Sequence, residues 1–252
     1  MNISLIQTSI KWLQPEENRR CAEEWISKCQ GSALTLLPEM FDSGFCMDPL
    51  KSSVECTQSL NWMVDMARKY QMAIGGSIAV EHNGDFYNRF YVVESCGKMH
   101  YANKRHLFSY AGEDDKYSAG AKRVVITLNG VRILLLVCYD LRFPVWMRNC
   151  GDYDVVACVA NWPKSRRAVW DTLLRARALE NLAYVCGVNI VGADPSSIYS
   201  GGTKAIDFKG NIVDSVEDNM QGVATLNVDM EALREFRAKF PALEDADDFE
   251  IK

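Results

Sequence analysis

Residues Val131–Val137 form an almost unbroken apolar run. Cys138 stands at its end, followed at once by Tyr139, Asp140, Leu141, Arg142, Phe143 and Pro144. A run of this kind reads as a buried strand, and the abrupt polar turn behind it is where an α/β protein exposes a reactive side chain. Cys138 is therefore a candidate nucleophile. The competing reading is a small buried hydrophobe, because the chain has 9 Cys and free cysteine is among the most often buried residue types. What separates the two is company, since a reactive thiol needs an electropositive setting.

The rest of the chain supplies a frame. Pro15 suits the first turn of a helix, and Cys21, Trp25 and Cys29 recur at four-residue spacing with Ala22 and Ile26 beside them. This predicts an amphipathic helix over 15–30 with Cys21 and Cys29 toward the core. A strand pattern within 1–10, a strand over 33–37 and a helix over 58–70 set up an alternation. Residues 73–80, 86–94 and 98–103 read as short strands joined by turns, and Asn129-Gly130 marks a hairpin between 124–128 and 131–137. A strand at 155–160, a helix over 165–181 and strands at 184–192, 203–208, 212–215 and 223–228 complete the pattern. With no repeat and no linker-like stretch, the 252 residues are expected to form a single α/β domain, two sheets covered by helices, with an acidic solvated tail at about 244–252.

Charge and composition narrow the function. A net charge of −5 argues against a nucleic-acid surface and leaves a small molecule as the expected partner. No apolar stretch approaches a membrane span, and the first residues lack the pattern of a leader. The cysteines are scattered without a CxxC pair, which fits reduced thiols in the cytoplasm. Only His82, His100 and His106 are available as imidazole ligands and there is no HExxH, so no metal or other cofactor is expected.

A thiol acting on an acyl group needs a base for its proton and a cation or N–H donors for the oxyanion. Glu39 and Lys104 each stand just past a predicted strand, as Cys138 does. Three complementary groups at strand ends are what a site assembled at one end of a sheet looks like. His106, two residues beyond Lys104, is the alternative base, as in a Cys-His pair.

Three segments carry a more specific likeness: Leu36-Leu37-Pro38-Glu39-Met40-Phe41, Asn103-Lys104-Arg105-His106-Leu107-Phe108, and Val137-Cys138-Tyr139-Asp140-Leu141-Arg142-Phe143-Pro144. In order and content they resemble the signature segments of the nitrilase superfamily, the carbon-nitrogen hydrolases, and most of all its omega-amidase branch. Asn161-Trp162-Pro163 and residues 175–181 extend the likeness. The resemblance implies a four-layer α-β-β-α sandwich that pairs into a homodimer. It implies a Glu-Lys-Cys triad in which Cys138 is the nucleophile, Glu39 the general base and Lys104 the cation facing the oxyanion, with the backbone N–H of Tyr139 as a second donor. Glu113 takes the place of a supporting glutamate, with Asp114 and Asp115 as neighbouring candidates.

The implied substrates are small amides, the omega-amides of short dicarboxylic acids such as 2-oxoglutaramate or 2-oxosuccinamate. Phe108, Tyr139 and Trp162 are expected either to wall the substrate or to be simple core. Arg142 is expected to fix its turn through a buried ion pair rather than to hold a substrate carboxylate. Lys164, Arg166 and Arg167 are assigned to a solvated helix end. The same triad could serve N-carbamoyl amino acids, nitriles or other aliphatic amides, and a non-catalytic binding protein is the reading from another class.

Overall fold

The computed structural model describes residues 1–247, 249 and 250. In chain order the first half contains β1 (Asn2–Gln7), α1 (Pro15–Ile26), β2 (Leu34–Leu36), α2 (Pro49–Ser52), α3 (Cys56–Tyr70), β3 (Ala73–His82), β4 (Asp85–Val93) and β5 (Met99–Asn103). The second half contains β6 (Val125–Leu128), β7 (Val131–Val137), α4 (Pro144–Met147), β8 (Val155–Val159), α5 (Arg167–Asn181), β9 (Tyr184–Val188), β10 (Val191–Ala193), β11 (Ile198–Ser200), β12 (Lys204–Ile206) and β13 (Ile212–Ser215). β14 (Gly222–Asn227) and α6 (Met230–Lys239) end the fold.

Two six-stranded sheets result, in the orders β14-β1-β2-β3-β4-β5 and β13-β12-β9-β8-β7-β6. Each has three parallel strands at its centre, β1-β2-β3 and β7-β8-β9, flanked by antiparallel ones. Strands buried on both faces carry apolar side chains at every position, which is why β7 and β8 read as continuous runs. Ile133, Leu135 and Val137 of β7 meet Leu34, Leu36, Phe90 and Val92 of the other sheet. Leu134 and Leu136 point outward to Trp146 of α4 and to Trp170, Leu174 and Ala178 of α5. On the far side Ala22 and Ile26 of α1 and Met63, Met66 and Ala67 of α3 cover Ile6, Ile74 and Ile78. The layers run α-β-β-α, as the resemblance implies.

The departures from the sequence reading have local causes. Residues 184–192 are not one strand: the Asn189 side chain takes the Trp162 N–H at 2.7 Å and donates to the carbonyls of Trp162 and Gly201, which turns the chain out of the sheet after β9. β10 and β11 then form a separate two-stranded ribbon. The first helix ends at Ile26 rather than at residue 30, and Cys21 is only half-buried while Cys29 is core. Helix α6 is absent from the sequence reading, although Asp229 caps its Glu231 and Ala232 N–H groups at 3.0 Å each. It closes one end of the inter-sheet core with Leu233 and Phe236. Of the expected acidic tail, Glu244, Asp245 and Glu250 are exposed, and residues 248, 251 and 252 lie outside those described.

The first helix layer is tied to the loop after β2 by polar contacts. Asn18 of α1 donates to the Asp42 carbonyl at 2.7 Å, and Ser59 of α3 donates to Asp42 Oδ2 at 2.6 Å. The other Asp42 oxygen is buried without a partner among the described residues. Burial pushes the Asp42 carboxyl up to about 6, against the pull of the Ser59 hydroxyl. The fold therefore prefers the neutral acid, and the stability this confers is present below the ordinary carboxylate range and is lost as pH rises through about 6. Asp42→Asn cannot ionise, so its unfolding free energy relative to the parent protein should rise by about 2–3 kcal/mol between pH 4 and pH 7.5. Paired denaturant titrations at the two pH values check this.

Candidate active site

Four buried or half-buried groups converge where β2, β5, β7 and β8 end. After β2 the chain runs along β3: Leu37 N–H bonds the Gly75 carbonyl, and Met40 N–H bonds the Ser77 hydroxyl at 2.9 Å. The approach is so close that a Cβ on Gly76 would lie 2.9 Å from Leu37 Cβ. This fixes Glu39 between the sheets. Lys104 follows β5, its N–H held by the Asn88 carbonyl at 2.9 Å and its carbonyl by Gly120 N–H at 2.8 Å. Glu113 starts a 3₁₀ turn, Glu113–Asp115, and its Oε2 accepts the Phe108 N–H at 2.6 Å. Asp114 and Asp115 point to solvent.

Cys138 begins a 3₁₀ turn, Cys138–Arg142, directly after β7, with φ +49°, a left-handed conformation rare outside glycine. Two contacts hold this turn. Asp140 Oδ2 accepts the Val137 N–H at 3.1 Å, and Arg177 of α5 donates twice to the Leu141 carbonyl, at 2.8 and 3.1 Å. Asp140 Oδ1 also accepts the His106 N–H and meets His106 Nδ1, both at 2.8 Å, while the imidazole stacks on Phe143. His106 thus joins the lysine segment to the cysteine turn and does not line the cavity before Cys138.

The Lys104 ammonium lies 3.0 Å from Glu39 Oε1 and 2.8 Å from Glu113 Oε2, with all three side chains essentially inaccessible. Asn88, wholly buried on β4, donates to Glu39 Oε1 at 2.8 Å and to Glu113 Oε1 at 3.4 Å. The Asn161 N–H, past the end of β8, bonds Glu39 Oε2 at 2.8 Å, and its side-chain amide bonds the Glu39 carbonyl. Burial alone would strip the proton from Lys104, but Glu113, Glu39 and Cys138 outweigh it and hold the ammonium above its ordinary range. Burial raises Glu113, and the Glu39 charge adds to this while Lys104 opposes it. Burial, with Glu39 next, lifts the Cys138 thiol well above its usual value, against Lys104. Lys104 draws the Cys138 sulfur toward the thiolate, but burial and Glu39 together outweigh it.

A cavity of about 450 Å³ opens over Cys138 and Lys104. Phe108, Tyr139 and Trp162 all line it, and the tip of the β10–β11 ribbon, Pro195 to Ser197, covers part of its mouth. Arg142 departs from expectation, because its guanidinium meets aromatic rings and no carboxylate among the described residues. Its guanidinium lies on the cavity wall over Trp162 at 5.3 Å and Tyr139 at 5.9 Å. Arg166, assigned above to a solvated helix end, also faces the cavity and stacks over Phe108 at 4.9 Å. Asn88 and the detailed role of Asn161 escaped the sequence reading. The available signal for Asn88 was its period-two alignment with Phe90 and Val92, which puts an amide on the inward face of a buried strand.

A thiol, a carboxylate and an ammonium at the floor of an apolar cavity, on a double-sheet sandwich, define a class of thiol hydrolases. The carbon-nitrogen hydrolase family profile matches residues 2–238, and the chain belongs to that family. It falls in the omega-amidase branch and is an amidase. The omega-amidase YafV of Escherichia coli K12 is 42% identical over 252 residues, covering 100% of this chain and 98% of YafV. The 2-oxoglutaramate amidase of Bacillus subtilis is 31% identical over 250 residues, covering 96% of each chain. Among solved structures, XC1258 of Xanthomonas campestris, a CN-hydrolase superfamily protein with an arsenic adduct in the active site, superposes with a TM-score of 0.95. Its identity is 38%, with 100% of this chain and 99% of that one covered.

Removing the lysine leaves two buried carboxylates uncompensated. Lys104→Met should therefore lose about 3–5 kcal/mol of stability at pH 8. The deficit should shrink at pH 5, where the carboxylates take up protons, and calorimetric unfolding at the two pH values reads it.

Proposed function

We propose that the protein hydrolyses the terminal amide of short dicarboxylic acid monoamides, such as 2-oxoglutaramate and 2-oxosuccinamate, through a thioester on Cys138. The observation that carries this reading is the pair of guanidiniums, Arg142 and Arg166, which face the cavity and stack on its aromatic walls without a carboxylate partner among the described residues. An unpaired guanidinium in such a place suits a carboxylate on the substrate. The likeness to YafV and to the Bacillus subtilis 2-oxoglutaramate amidase supports the same substrate class.

The reaction follows from the positions. As the Cys138 sulfur attacks the amide carbon, its proton passes to Glu39, so charge separates only when the substrate is in place. The oxyanion faces the Lys104 ammonium, two of whose three hydrogens are taken by Glu39 and Glu113. It also faces the N–H of Tyr139, which has no acceptor within its own 3₁₀ turn. Collapse expels the nitrogen, which takes the Glu39 proton and leaves as ammonia. Water then gives a proton to Glu39 and attacks the thioester, and collapse returns that proton to the sulfur and frees the carboxylic acid. Glu113 neither gives nor takes a proton but holds Lys104 charged throughout. Phe108, Tyr139 and Trp162 wall the cavity in which the thioester forms.

The reading extends to one catalytic domain spanning all 252 residues and to a homodimer in the cytoplasm. Unpaired thiols suit a reducing compartment. The exposed Val145 and Phe249, which share a groove, offer apolar surface to a second copy.

Ammonia release from 2-oxoglutaramate should be abolished in Cys138→Ala. In Arg142→Met the KM for 2-oxoglutaramate should rise about 10–100-fold, the loss of one charged hydrogen bond. An uncharged aliphatic amide should be turned over equally by Arg142→Met and the parent enzyme. A parent enzyme that prefers nitriles or N-carbamoyl amino acids, or an R142M enzyme with unchanged KM, would reject the substrate assignment.

A further inference from the structure

The Glu39–Lys104–Glu113 cluster holds two carboxylates against one ammonium with almost no exposure, and coulombic repulsion favours a proton on one of them. The base must nevertheless be the carboxylate that rests free. The side chain that touches both is Asn88. Each of its two amide hydrogens has a carboxylate acceptor, Glu39 Oε1 at 2.8 Å and Glu113 Oε1 at 3.4 Å. Its carbonyl oxygen is turned away from them by the Ser77 hydroxyl, which donates to it at 2.8 Å. The same hydroxyl is oriented from behind by the Met40 N–H at 2.9 Å, and Met40 is the residue after Glu39. The Asn88 backbone carbonyl receives the Lys104 N–H. One residue thus contacts all three members of the cluster.

We propose that Asn88 is a positioning residue for the amidase reaction. Its neutral amide ties the two carboxylates at fixed places beside Lys104, and it keeps Glu39 the free base without adding a charge or a proton of its own. The chemistry of the side chain explains the choice. An ammonium or guanidinium there would quench the base, a carboxyl would add a third anion, and an apolar group would leave Glu39 short of a donor in a dry site. The relay from Met40 N–H through Ser77 to Asn88 sets which end of the amide faces the carboxylates, so the asparagine cannot present its oxygen to them without losing two hydrogen bonds.

The inference rests on the proposed roles of Glu39 and Cys138 but not on the substrate. The test therefore reads the thiol directly. Alkylation of Cys138 by iodoacetamide is followed on its own peptide by mass spectrometry between pH 4 and pH 9, with thermal unfolding of each variant alongside. The parent rate should rise through an acid-side midpoint that Glu39→Gln abolishes. Loss of the amide donor destabilises the Glu39 anion, so Asn88→Leu should move that midpoint up by about one pH unit or more. Asn88→Asp should move it further, and Ser77→Ala, which frees the amide to turn, should move it less in the same direction. A structural asparagine would lower stability and leave the midpoint in place. Midpoints within about 0.3 unit of the parent in Asn88→Leu, or in Ser77→Ala if Asn88→Leu does not fold, overturn the proposal. A Glu39→Gln protein with an unchanged midpoint overturns the proposed base along with it, whereas failure to release ammonia from 2-oxoglutaramate bears on the substrate alone.

Discussion

A buried ammonium at the floor of the cavity is the constraint around which this molecule is arranged. Desolvating a charged amine costs several kcal/mol, and only close opposite charge with satisfied hydrogen bonds offsets it. Lys104 has that from Glu39 and Glu113, but each carboxylate then needs donors of its own. Glu39 finds them in Asn88 and the Asn161 N–H, and Glu113 in the Phe108 N–H. One charge thereby recruits the ends of β2, β5 and β8, a strand interior on β4 and a 3₁₀ turn. The sandwich is the architecture that lets all of them arrive at one point, because its parallel strands end together on both sheets.

That arrangement divides the chemistry between the sheets. Glu39 and Lys104 belong to the first, Cys138 and Asn161 to the second, and the Asn161 contacts to Glu39 cross from one to the other. The local backbone is strained to meet across the seam: Cys138 at φ +49° and Met40 at φ +42° both sit in the left-handed region, which costs ~1 kcal/mol for a side chain with a Cβ. Asp140 and Arg177 hold the first and Ser77 the second, so the strain is carried by hydrogen bonds from groups outside the cavity lining.

Much of this was legible in the sequence, and what was not has a common reason. The apolar runs at β7 and β8 and the helices α1, α3 and α5 announce themselves because burial on both faces, or on one stripe, writes a local pattern. Glu39, Lys104 and Cys138 are visible because each interrupts such a pattern at a strand end. The break after β9 depends on Asn189 meeting Trp162 and Gly201, contacts made only in the folded chain. The same holds for Arg142, whose sequence neighbours suggest an ion pair that the surrounding elements do not supply. Helix α6 was the exception, since its Asp229 cap and its spacing of Met230, Leu233 and Phe236 were there to be read. Asn88 looks like an ordinary strand residue until the neighbouring loops bring two carboxylates to it.

The upward push on the Cys138 thiol has a consequence for the lifetime of the enzyme. Peroxides and adventitious electrophiles react with thiolates and scarcely with thiols. A cysteine enzyme whose nucleophile is permanently ionised is exposed to them whenever its site is empty. Here burial and the Glu39 charge push the Cys138 thiol up, away from the thiolate, and in the proposed mechanism its proton leaves as the substrate carbon is attacked. A nucleophile of that kind would meet such reagents more slowly between turnovers than a standing thiolate would.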